Sequence, residues 1–329
     1  MSEGKYSALE DRIGLGCMGM SEFYGDSNDD QSLETLAAAY DLGYRHFDTA
    51  DMYGKGHNEL LLGRFCKQLG GDRQYITIAT KVGIKRDDGS PGAISIDSSP
   101  EYILKACDRS LERLGVEQID LYYLHRRNPV VPIDETMSAM RELQSQGKVA
   151  RIGLSEVSVA TLREAHDLVG ISAIQNEYSL WSRDVESGML QACEELNIRL
   201  VAYSPLGRGF LSGSLSHELI QQEGDLRSKL PRFQPEAFDR NRKLLDTVAS
   251  IAEAHQCSLA QVALSWVLHQ SPMVTIIPGA RKLSHLRDNF GSGKLNLSPT
   301  ELALLSETFD PKNVDGLRYP EPLLRTTNT

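Results

Sequence analysis

The sequence predicts a (β/α)8 barrel, also known as a TIM barrel, in the α/β class. Eight short apolar segments alternate with amphipathic helical patterns along the chain, as expected when each strand is followed by a helix. The length of 329 residues, 40% of them hydrophobic, suffices to bury the core of such a barrel. No linker or low-complexity segment divides the chain, so we expect a single domain over residues 1–329. From the pattern alone, a doubly wound open sheet remains the competing architecture.

The candidate strands are brief and rich in apolar residues, which is typical of strands buried in a parallel sheet. They comprise residues 12–16, 44–48, 75–80, 119–125, 150–155, 172–178, 198–204 and 274–278. One long irregular stretch, at about residues 207–238, follows the seventh strand. A loop of that length in a compact domain is usually functional or mobile.

Helix start and stop signals lie between these strands. Asp29 or Asp30 can cap the first helix, which Gly43 ends. Pro100 stands at the first position of another helix, directly after Ser99. Further helix starts are expected at Pro132, Ser158, Asp184, Ser258 and the capping-box pair Ser298 and Glu301. Each strand is therefore followed by a helix or a long loop.

Residues 12–20, RIGLGCMGM, contain Gly14, Gly16 and Gly19 in the G-x-G-x-x-G order of a dinucleotide-binding Rossmann turn. Such a turn needs its third glycine to open a helix whose N-terminus faces the pyrophosphate. A polar loop follows Gly19 instead, and helix signals begin only near Asp29. We therefore interpret this segment as the first barrel strand and the loop after it.

Charge and cysteine content exclude several classes of function. The net charge of −10 is spread over mixed acidic and basic residues, which argues against a nucleic-acid or membrane partner. The polar N-terminal dozen residues are not typical of a secretory signal, and no apolar run is long enough to span a membrane. We expect a cytoplasmic protein with no metal site and with reduced thiols at Cys17, Cys66, Cys107, Cys193 and Cys257.

Four chemically competent side chains follow the C-terminal ends of the second, third and fourth strands, where barrels carry their functional groups. They are Asp48, Tyr53, Lys81 and His125. The set suits proton delivery to a carbonyl oxygen that becomes an alkoxide when hydride arrives. Tyr53 is the expected donor. We expect Lys81 to lower its pKa from about 10, Asp48 to hold Lys81 charged, and His125 to orient the carbonyl.

Each of these residues, taken alone, has a structural alternative. Asp48 could be a turn cap, Tyr53 a rim aromatic residue, Lys81 a solvated strand end and His125 a hydrogen-bonded core histidine. Their joint occurrence at matching ends of successive strands favours the chemical interpretation.

The motifs FDTADMYGKGHNELLLG (47–63), ATKVG (79–83) and IDLYYLH (119–125) resemble those of the aldo-keto reductase superfamily. The likeness extends over about residues 10–310 and is greatest to its microbial and plant broad-specificity reductases. The resemblance implies a barrel, NADPH-linked carbonyl reduction without a metal, and the same four catalytic residues. It also implies a long loop after strand seven that closes over the cofactor and a C-terminal tail over the barrel mouth.

The resemblance also assigns a cofactor site for NADPH or NADP+. Ser155 and Gln175 would bond the nicotinamide carboxamide, and Tyr203 would stack on the ring. Glu156 stands where many members have Asn. The other implied contacts are Met18 near the nicotinamide, Ser204, Leu206, Gly207 and Arg208 at the pyrophosphate, Gly279, Arg281 and less directly Lys282 at the adenosine 2′-phosphate, His285 beside them, and Asp288 and Asn289 at the adenine.

A substrate pocket for a small carbonyl compound is predicted at the top of the barrel. Its candidate residues are Phe23, Tyr24, Arg126 and Trp181. Packing under loops explains the aromatic residues almost as well, and Arg126 could be a solvated loop residue or attract acidic substrates.

The alternative functions are a non-catalytic NADPH-binding regulatory subunit and a non-redox barrel enzyme. We expect a monomer or a small homo-oligomer.

Overall fold

A computed structural model describes residues 9–25, 27–86, 94–222, 224–324 and 327, so part of the polar N-terminus and part of the tail lie outside it. Within these residues the strands, in chain order, are β1 (Leu15–Gly16), β2 (His46–Asp48), β3 (Thr77–Val82), β4 (Ile84–Arg86), β5 (Ile94–Ile96), β6 (Leu121–Leu124), β7 (Ile152–Ser155), β8 (Ala173–Glu177), β9 (Arg199–Tyr203) and β10 (Val274–Ile276). Eight of them form one parallel sheet in the order β1-β2-β3-β6-β7-β8-β9-β10. β4 and β5 form a separate antiparallel hairpin, which the sequence did not predict.

The described helices surround this sheet. They are α1 (Asp29–Leu42), α2 (His57–Leu69), α3 (Pro100–Leu114), α4 (Ile133–Ser145), α5 (Val159–Val169), α6 (Met189–Leu196), α7 (His217–Ile220), α8 (Pro235–Arg242), α9 (Leu245–Ala254), α10 (Leu259–His269), α11 (Leu283–Gly291), α12 (Pro299–Thr308) and α13 (Glu321–Leu324). None of them is both long and apolar enough to cross a bilayer.

Helix capping follows the sequence signals with two corrections. The capping boxes at Ser258 and Ser298 are both formed, and Ser158 caps α5. The cap of α1 is Asn28, whose side chain accepts from the Gln31 amide, so Asp29 and Asp30 lie in the first turn, where the helix dipole favours acidic residues. Asp184 starts a 3-10 turn rather than capping α6.

The sheet closes on itself, which confirms the barrel and excludes the open sheet. The Gly14 amide donates to the Ile276 carbonyl at 2.8 Å, and the Gly16 amide donates to the Pro278 carbonyl at 3.2 Å. A Cβ at Gly16 would lie 2.8 Å from the Ile277 carbonyl oxygen. These glycines of the RIGLGCMGM segment therefore allow the first and last strands to meet. The chain then makes a short 3-10 turn, Met18–Met20, in place of the α-helix that a Rossmann turn requires.

The side chains that point into the barrel form a packed apolar layer and, nearer the C-terminal strand ends, a layer of polar residues. Ala79, Leu121, Tyr123, Ala173, Val201 and Ile277 form a small buried apolar cluster. Because side chains alternate between the two faces of a strand, residues two positions further along point into the same interior, nearer the C-terminal end. Those positions hold Lys81, His125, Gln175 and Tyr203. The larger core, which includes Phe47, lies between the strands and the helices.

Candidate active site

The predicted catalytic residues meet at the C-terminal end of the barrel. Lys81 is fully buried on β3, and its Nζ lies 2.5 Å from Asp48 Oδ1, 2.7 Å from the Thr49 carbonyl oxygen and 3.4 Å from the Tyr53 hydroxyl. The Tyr53 ring stands edge-on to the His125 imidazole, with 6.0 Å between centroids. Four side chains from three strand ends thus share one small space.

A strained turn brings Tyr53 to this space. The residues after it, Gly54, Lys55 and Gly56, all have positive φ angles of 56°, 54° and 92°. A Cβ at Gly56 would lie 2.8 Å from the Arg113 side chain. The turn therefore depends on glycine, and it leads directly into α2.

Burial dominates the acid–base properties of the site. It raises the pKa of Tyr53 above its ordinary value by more than the neighbouring Lys81 lowers it. The predicted net lowering is therefore wrong for this structure. Burial, together with the positive charges of Arg126 and Lys81, holds the pKa of His125 well below its usual range. Burial by itself would lower the pKa of Lys81. Asp48 and Tyr53 together raise it by more than burial lowers it, so the net shift of the Lys81 pKa is upward. At neutral pH the site thus holds a protonated phenol, a neutral imidazole and an ammonium group.

Asn58, at the start of α2, supports the turn that carries Tyr53. It is fully buried, and its amide nitrogen donates to the Cys17 carbonyl at 2.9 Å and to Ser21 Oγ at 2.7 Å. Its amide oxygen accepts from Thr49 Oγ1 at 2.6 Å. Asn58 therefore ties the turn after Tyr53 to the loops that follow β1 and β2.

Glu59, also fully buried, ties the same helix to two other elements. It accepts a hydrogen bond from Thr80 Oγ1 at 2.6 Å and pairs with Arg113 on α3. Thr80 directly precedes Lys81, so this carboxylate braces the strand that carries the catalytic ammonium. The signal available in the sequence was an acidic side chain a few residues after Tyr53.

The residues predicted to bind a carboxamide present complementary hydrogen-bonding groups. Gln175 Nε2 donates to Asp48 Oδ2 at 2.7 Å, which leaves the amide oxygen as the group that can accept from a ligand. Ser155 Oγ accepts from Arg126 Nη1 at 3.1 Å, which leaves its hydroxyl hydrogen to donate. Glu156 is instead engaged within the protein, because its carboxylate accepts hydrogen bonds from Arg318 and from the Glu177 amide.

The predicted pyrophosphate loop follows β9 and has an unusual backbone. Ser204, Gly207 and Arg208 have positive φ angles of 48°, 56° and 58°. A Cβ at Gly207 would lie 2.5 Å from Trp181 Nε1. The Arg208 side chain is directed towards Glu177 Oε2, at 3.3 Å, and is not directed to solvent. Leu206 is half-buried beside them.

The predicted phosphate and adenine residues form a second group around the start of α11. Gly279 and His285 are exposed, Arg281 is half-buried, and Lys282 precedes the first helical residue. Asp288 accepts from Ser258 Oγ at 2.7 Å. Asn289 is 2% exposed, and its Nδ2 has no hydrogen-bond partner within the described part of the chain. A buried amide without a partner is expected where a ligand completes the site.

The predicted substrate-pocket residues separate into two kinds. Phe23 and Tyr24 are half-buried in the loop after β1, and Arg126 is half-buried beside His125. Met18 is likewise half-buried in that loop, where it was predicted to lie near the nicotinamide. Trp181 is 4% exposed and stacks on Phe210 with 4.3 Å between ring centroids, so its contacts are those of a packing residue that anchors the loop after β9.

A profile of the Aldo/keto reductase family matches residues 12–309 of this chain. The chain belongs to the aldo/keto reductase family. It is 42% identical over 311 residues to aldo-keto reductase yakc (NADP+) of Schizosaccharomyces pombe, covering 94% of this chain and 91% of that protein. Among solved structures, the glycerol dehydrogenase of Gluconobacter oxydans is similar with a TM-score of 0.81 and 31% identity, covering 91% of this chain and 92% of that one. An aldo/keto reductase from Klebsiella pneumoniae in complex with NADP and acetate is similar with a TM-score of 0.70 and 27% identity, covering 94% of both chains.

Family membership confirms the resemblance inferred from the motifs. It makes the chain an oxidoreductase of the carbonyl-reducing class, and it accounts for the barrel with its polar site at the C-terminal strand ends.

Proposed function

We propose that this aldo/keto reductase uses NADPH to reduce aldehydes and ketones to alcohols, with Tyr53 as the general acid. The observation that carries the proposal is the buried Asp48–Lys81–Tyr53 chain of contacts, which faces the neutral His125. The names of two relatives, which mention NADP, support the choice of cofactor. A small carbonyl compound is the expected substrate class.

The residues present fit a nicotinamide dinucleotide. Ser155 can donate and Gln175 can accept, which is the pattern that a primary carboxamide requires. The buried Asn289 Nδ2, which has no hydrogen-bond partner among the described residues, supports an adenine contact. Arg281, just before α11, supports a contact to the adenosine 2′-phosphate, because a guanidinium matches phosphate geometry and the helix N-terminus favours negative charge.

When bound, NADPH supplies the hydride that reduces the carbonyl carbon. Tyr53 donates its phenolic proton to the carbonyl oxygen, and its raised pKa keeps that proton in place at neutral pH. Lys81, with Nζ 3.4 Å from the hydroxyl, stabilises the phenolate that is left, and Asp48 keeps Lys81 charged and oriented. His125, being neutral, donates a hydrogen bond that orients the carbonyl oxygen. In the reverse direction Tyr53 acts as the base.

A non-catalytic NADPH-binding subunit of the same fold is the alternative. Burial of an ammonium and a carboxylate carries a substantial desolvation cost. A protein that only bound the cofactor would gain nothing from placing the ammonium of that pair 3.4 Å from a tyrosine hydroxyl. This placement favours turnover.

The experiment that tests the proposal is the loss of NADPH absorbance with a panel of aromatic and aliphatic aldehydes, measured on the wild type, Tyr53→Phe and Tyr75→Phe. We expect Tyr53→Phe to lower kcat by about 10²- to 10⁴-fold, because a positioned general acid contributes on that order. NADPH binding, measured by fluorescence quenching, should be nearly unchanged. Tyr75 is exposed on the surface and its variant should match the wild type. Binding of NADPH without turnover by the wild type would refute the enzymatic function, and an unchanged rate in Tyr53→Phe would refute the proton-donor role.

A further inference from the structure

The C-terminal segment of residues 314–319 lies across the barrel mouth and is fastened at several points. Asn241, which is fully buried, donates to the Asp315 carbonyl at 3.0 Å and accepts from the Asp315 amide at 2.8 Å. Arg232 Nε donates to the Gly316 carbonyl at 3.2 Å. These contacts hold the backbone of the segment in one place and bring Arg318 and Tyr319, which follow shortly after, to the rim.

Arg318 forms a buried ion pair with Glu156. Its Nη1 and Nη2 donate to the two carboxylate oxygens at 3.2 and 2.7 Å, and the side chains are 6% and 0% exposed. Glu156 directly follows β7 and has a left-handed backbone with φ of 52°. A two-pronged guanidinium–carboxylate pair fixes orientation as well as distance. The tail is thereby locked to the strand end that carries Ser155.

Tyr319 lies between two residues of the cofactor site. Arg208 Nη2 donates to the Tyr319 hydroxyl at 2.7 Å, and the hydroxyls of Tyr319 and Tyr203 are 3.2 Å apart. Because the Tyr319 oxygen accepts from Arg208, its own hydrogen is available to donate to Tyr203. Arg208 is held in turn by Glu177. A continuous chain of contacts therefore runs from Glu177 through Arg208 and Tyr319 to Tyr203.

We propose that Arg318 and Tyr319 are positioning residues of the cofactor site, which set the orientation of the Tyr203 ring for stacking on the nicotinamide of NADPH. This inference rests on the proposed function. It assigns to the tail a role in holding the cofactor, and it assigns to the Arg208 side chain the role of a link between Glu177 and Tyr319. Without the Tyr319 hydroxyl, the Tyr203 ring loses the contact that fixes it and the stacked complex becomes weaker.

The decisive experiment measures the Kd for NADPH by fluorescence quenching in wild type, Tyr319→Phe, Tyr203→Phe and the double variant. We expect each single variant to bind NADPH about 3- to 10-fold more weakly, as for the loss of one hydrogen bond. The double variant should be no weaker than the weaker single variant, because both remove the same contact. The KM for an aldehyde at saturating NADPH should stay within about twofold in Tyr319→Phe. Tyr75→Phe again serves as the matched control on the surface.

Two results would overturn the inference: NADPH affinity in Tyr319→Phe equal to or tighter than that of the wild type, or losses that add in the double variant. If the wild type bound no NADPH, the proposed function and this inference would both be wrong. If it bound NADPH and Tyr319→Phe bound it equally well, only this inference would be wrong.

Arg318 is tested by its charge and by its geometry. Arg318→Met should raise the KM for NADPH at least about threefold, and Arg318→Lys, which keeps the charge but loses the two-pronged contact, should lie between it and the wild type. If the buried Glu156, left without its partner, prevents Arg318→Met from folding, the double variant Glu156→Gln/Arg318→Met removes both charges. It should show the same rise in the KM for NADPH. Arg240→Gln is the control, because Arg240 also pairs with this segment, through Asp315, but is exposed. An unchanged KM for NADPH in the folded Arg318 variants would contradict the proposal.

Discussion

Lys81 shows what can be predicted for a single residue and what cannot. Its place at a strand end, with Asp48 and His125 at neighbouring strand ends, made it a catalytic candidate from sequence alone, and the structure brings these residues together. The sign of the Tyr53 pKa shift was not predictable. It depends on how completely loops distant in sequence bury the phenol, and burial outweighs the effect of Lys81. Glu156 likewise looked like a changed carboxamide ligand, and its partner Arg318 lies 162 positions away.

Arg281 carries a prediction about cofactor preference. Its backbone carbonyl accepts from Thr35 Oγ1 at 3.4 Å, so the residue is tied to α1 next to the start of α11. Arg281→Ala should weaken NADPH about 10-fold or more, since charge-assisted bonds to phosphate are among the stronger hydrogen bonds. NADH, which lacks the 2′-phosphate, should be affected far less. Binding of both nucleotides by fluorescence quenching checks this, with the exposed Arg141→Ala as control. Equal losses for both nucleotides would remove the phosphate role.

Asp51 carries a prediction about stability. Burial, and secondarily Glu59, raises the pKa of Asp51 to about 8, and its Oδ1 is buried without a partner in the described chain. The folded state thus keeps a proton that the unfolded state releases near pH 3.9. The contribution of this proton to the free energy of unfolding is therefore fully present below about pH 4 and is lost as the pH rises towards 8.

Asp51→Asn removes this dependence because it cannot ionise. Relative to wild type, its free energy of unfolding should increase between about pH 4 and 8, by at most about 1.4 kcal/mol per pH unit. Urea denaturation at several pH values measures the difference, and the exposed Asp167→Asn should show none. A difference that does not change with pH would mean that Asp51 is ionised in the folded protein.

At the scale of elements, periodicity and capping predicted the barrel strands and the helices α1, α3, α4, α5, α10 and α12, because each of those signals is local. The short helix α7 lies within the stretch of about residues 207–238 that was predicted to be irregular. The β4–β5 hairpin was missed because Lys85 and Arg86 give its first strand a polar character. The supporting contacts made by the start of α2 were missed for another reason. Asn58 and Glu59 are polar residues at a helix start, and only tertiary contacts show that both are fully buried.

Asn58→Ala tests whether α2 positions the catalytic turn. The change removes three hydrogen bonds. The Cys17 carbonyl keeps the Met20 amide and Ser21 Oγ keeps His57, but Thr49 Oγ1 loses the partner given for it, and an unsatisfied buried group costs about 1–3 kcal/mol. We expect a lower melting temperature and a kcat reduced at least about 10-fold, with a smaller change in NADPH affinity, because Tyr53 lies on this turn. The exposed Gln68→Ala on the same helix is the control. A destabilised variant with undiminished kcat would show that Asn58 only stabilises the fold.

At the scale of the whole molecule, the site is assembled from segments that span nearly the entire chain. Closure between β1 and β10 follows from the number of strands and was predictable. The resemblance implied a tail over the barrel mouth, but the contacts that hold the tail there were not predictable, because they are single long-range contacts of Asn241, Arg232 and Glu156. Such contacts leave no periodic signal in a sequence. They join the loop after β9 and the tail into one structure over the barrel mouth.

This joining predicts that the loop and the tail respond to the cofactor together. Hydrogen–deuterium exchange measured with and without NADPH should show increased protection in both residues 204–213 and residues 314–319, since Arg208 and Tyr319 bridge them. In Asn241→Ala the Asp315 backbone loses both of its bonds to that side chain, so NADPH should still protect the loop but protect the tail much less. The exposed Asn313→Ala, beside the same segment, should behave as wild type, because within the described residues its side chain donates to carbonyls at the end of α12 and not to the tail. Protection confined to the loop in the wild type would show that the tail is not coupled to cofactor binding, and the barrel mouth would then have to be regarded as two independent covers.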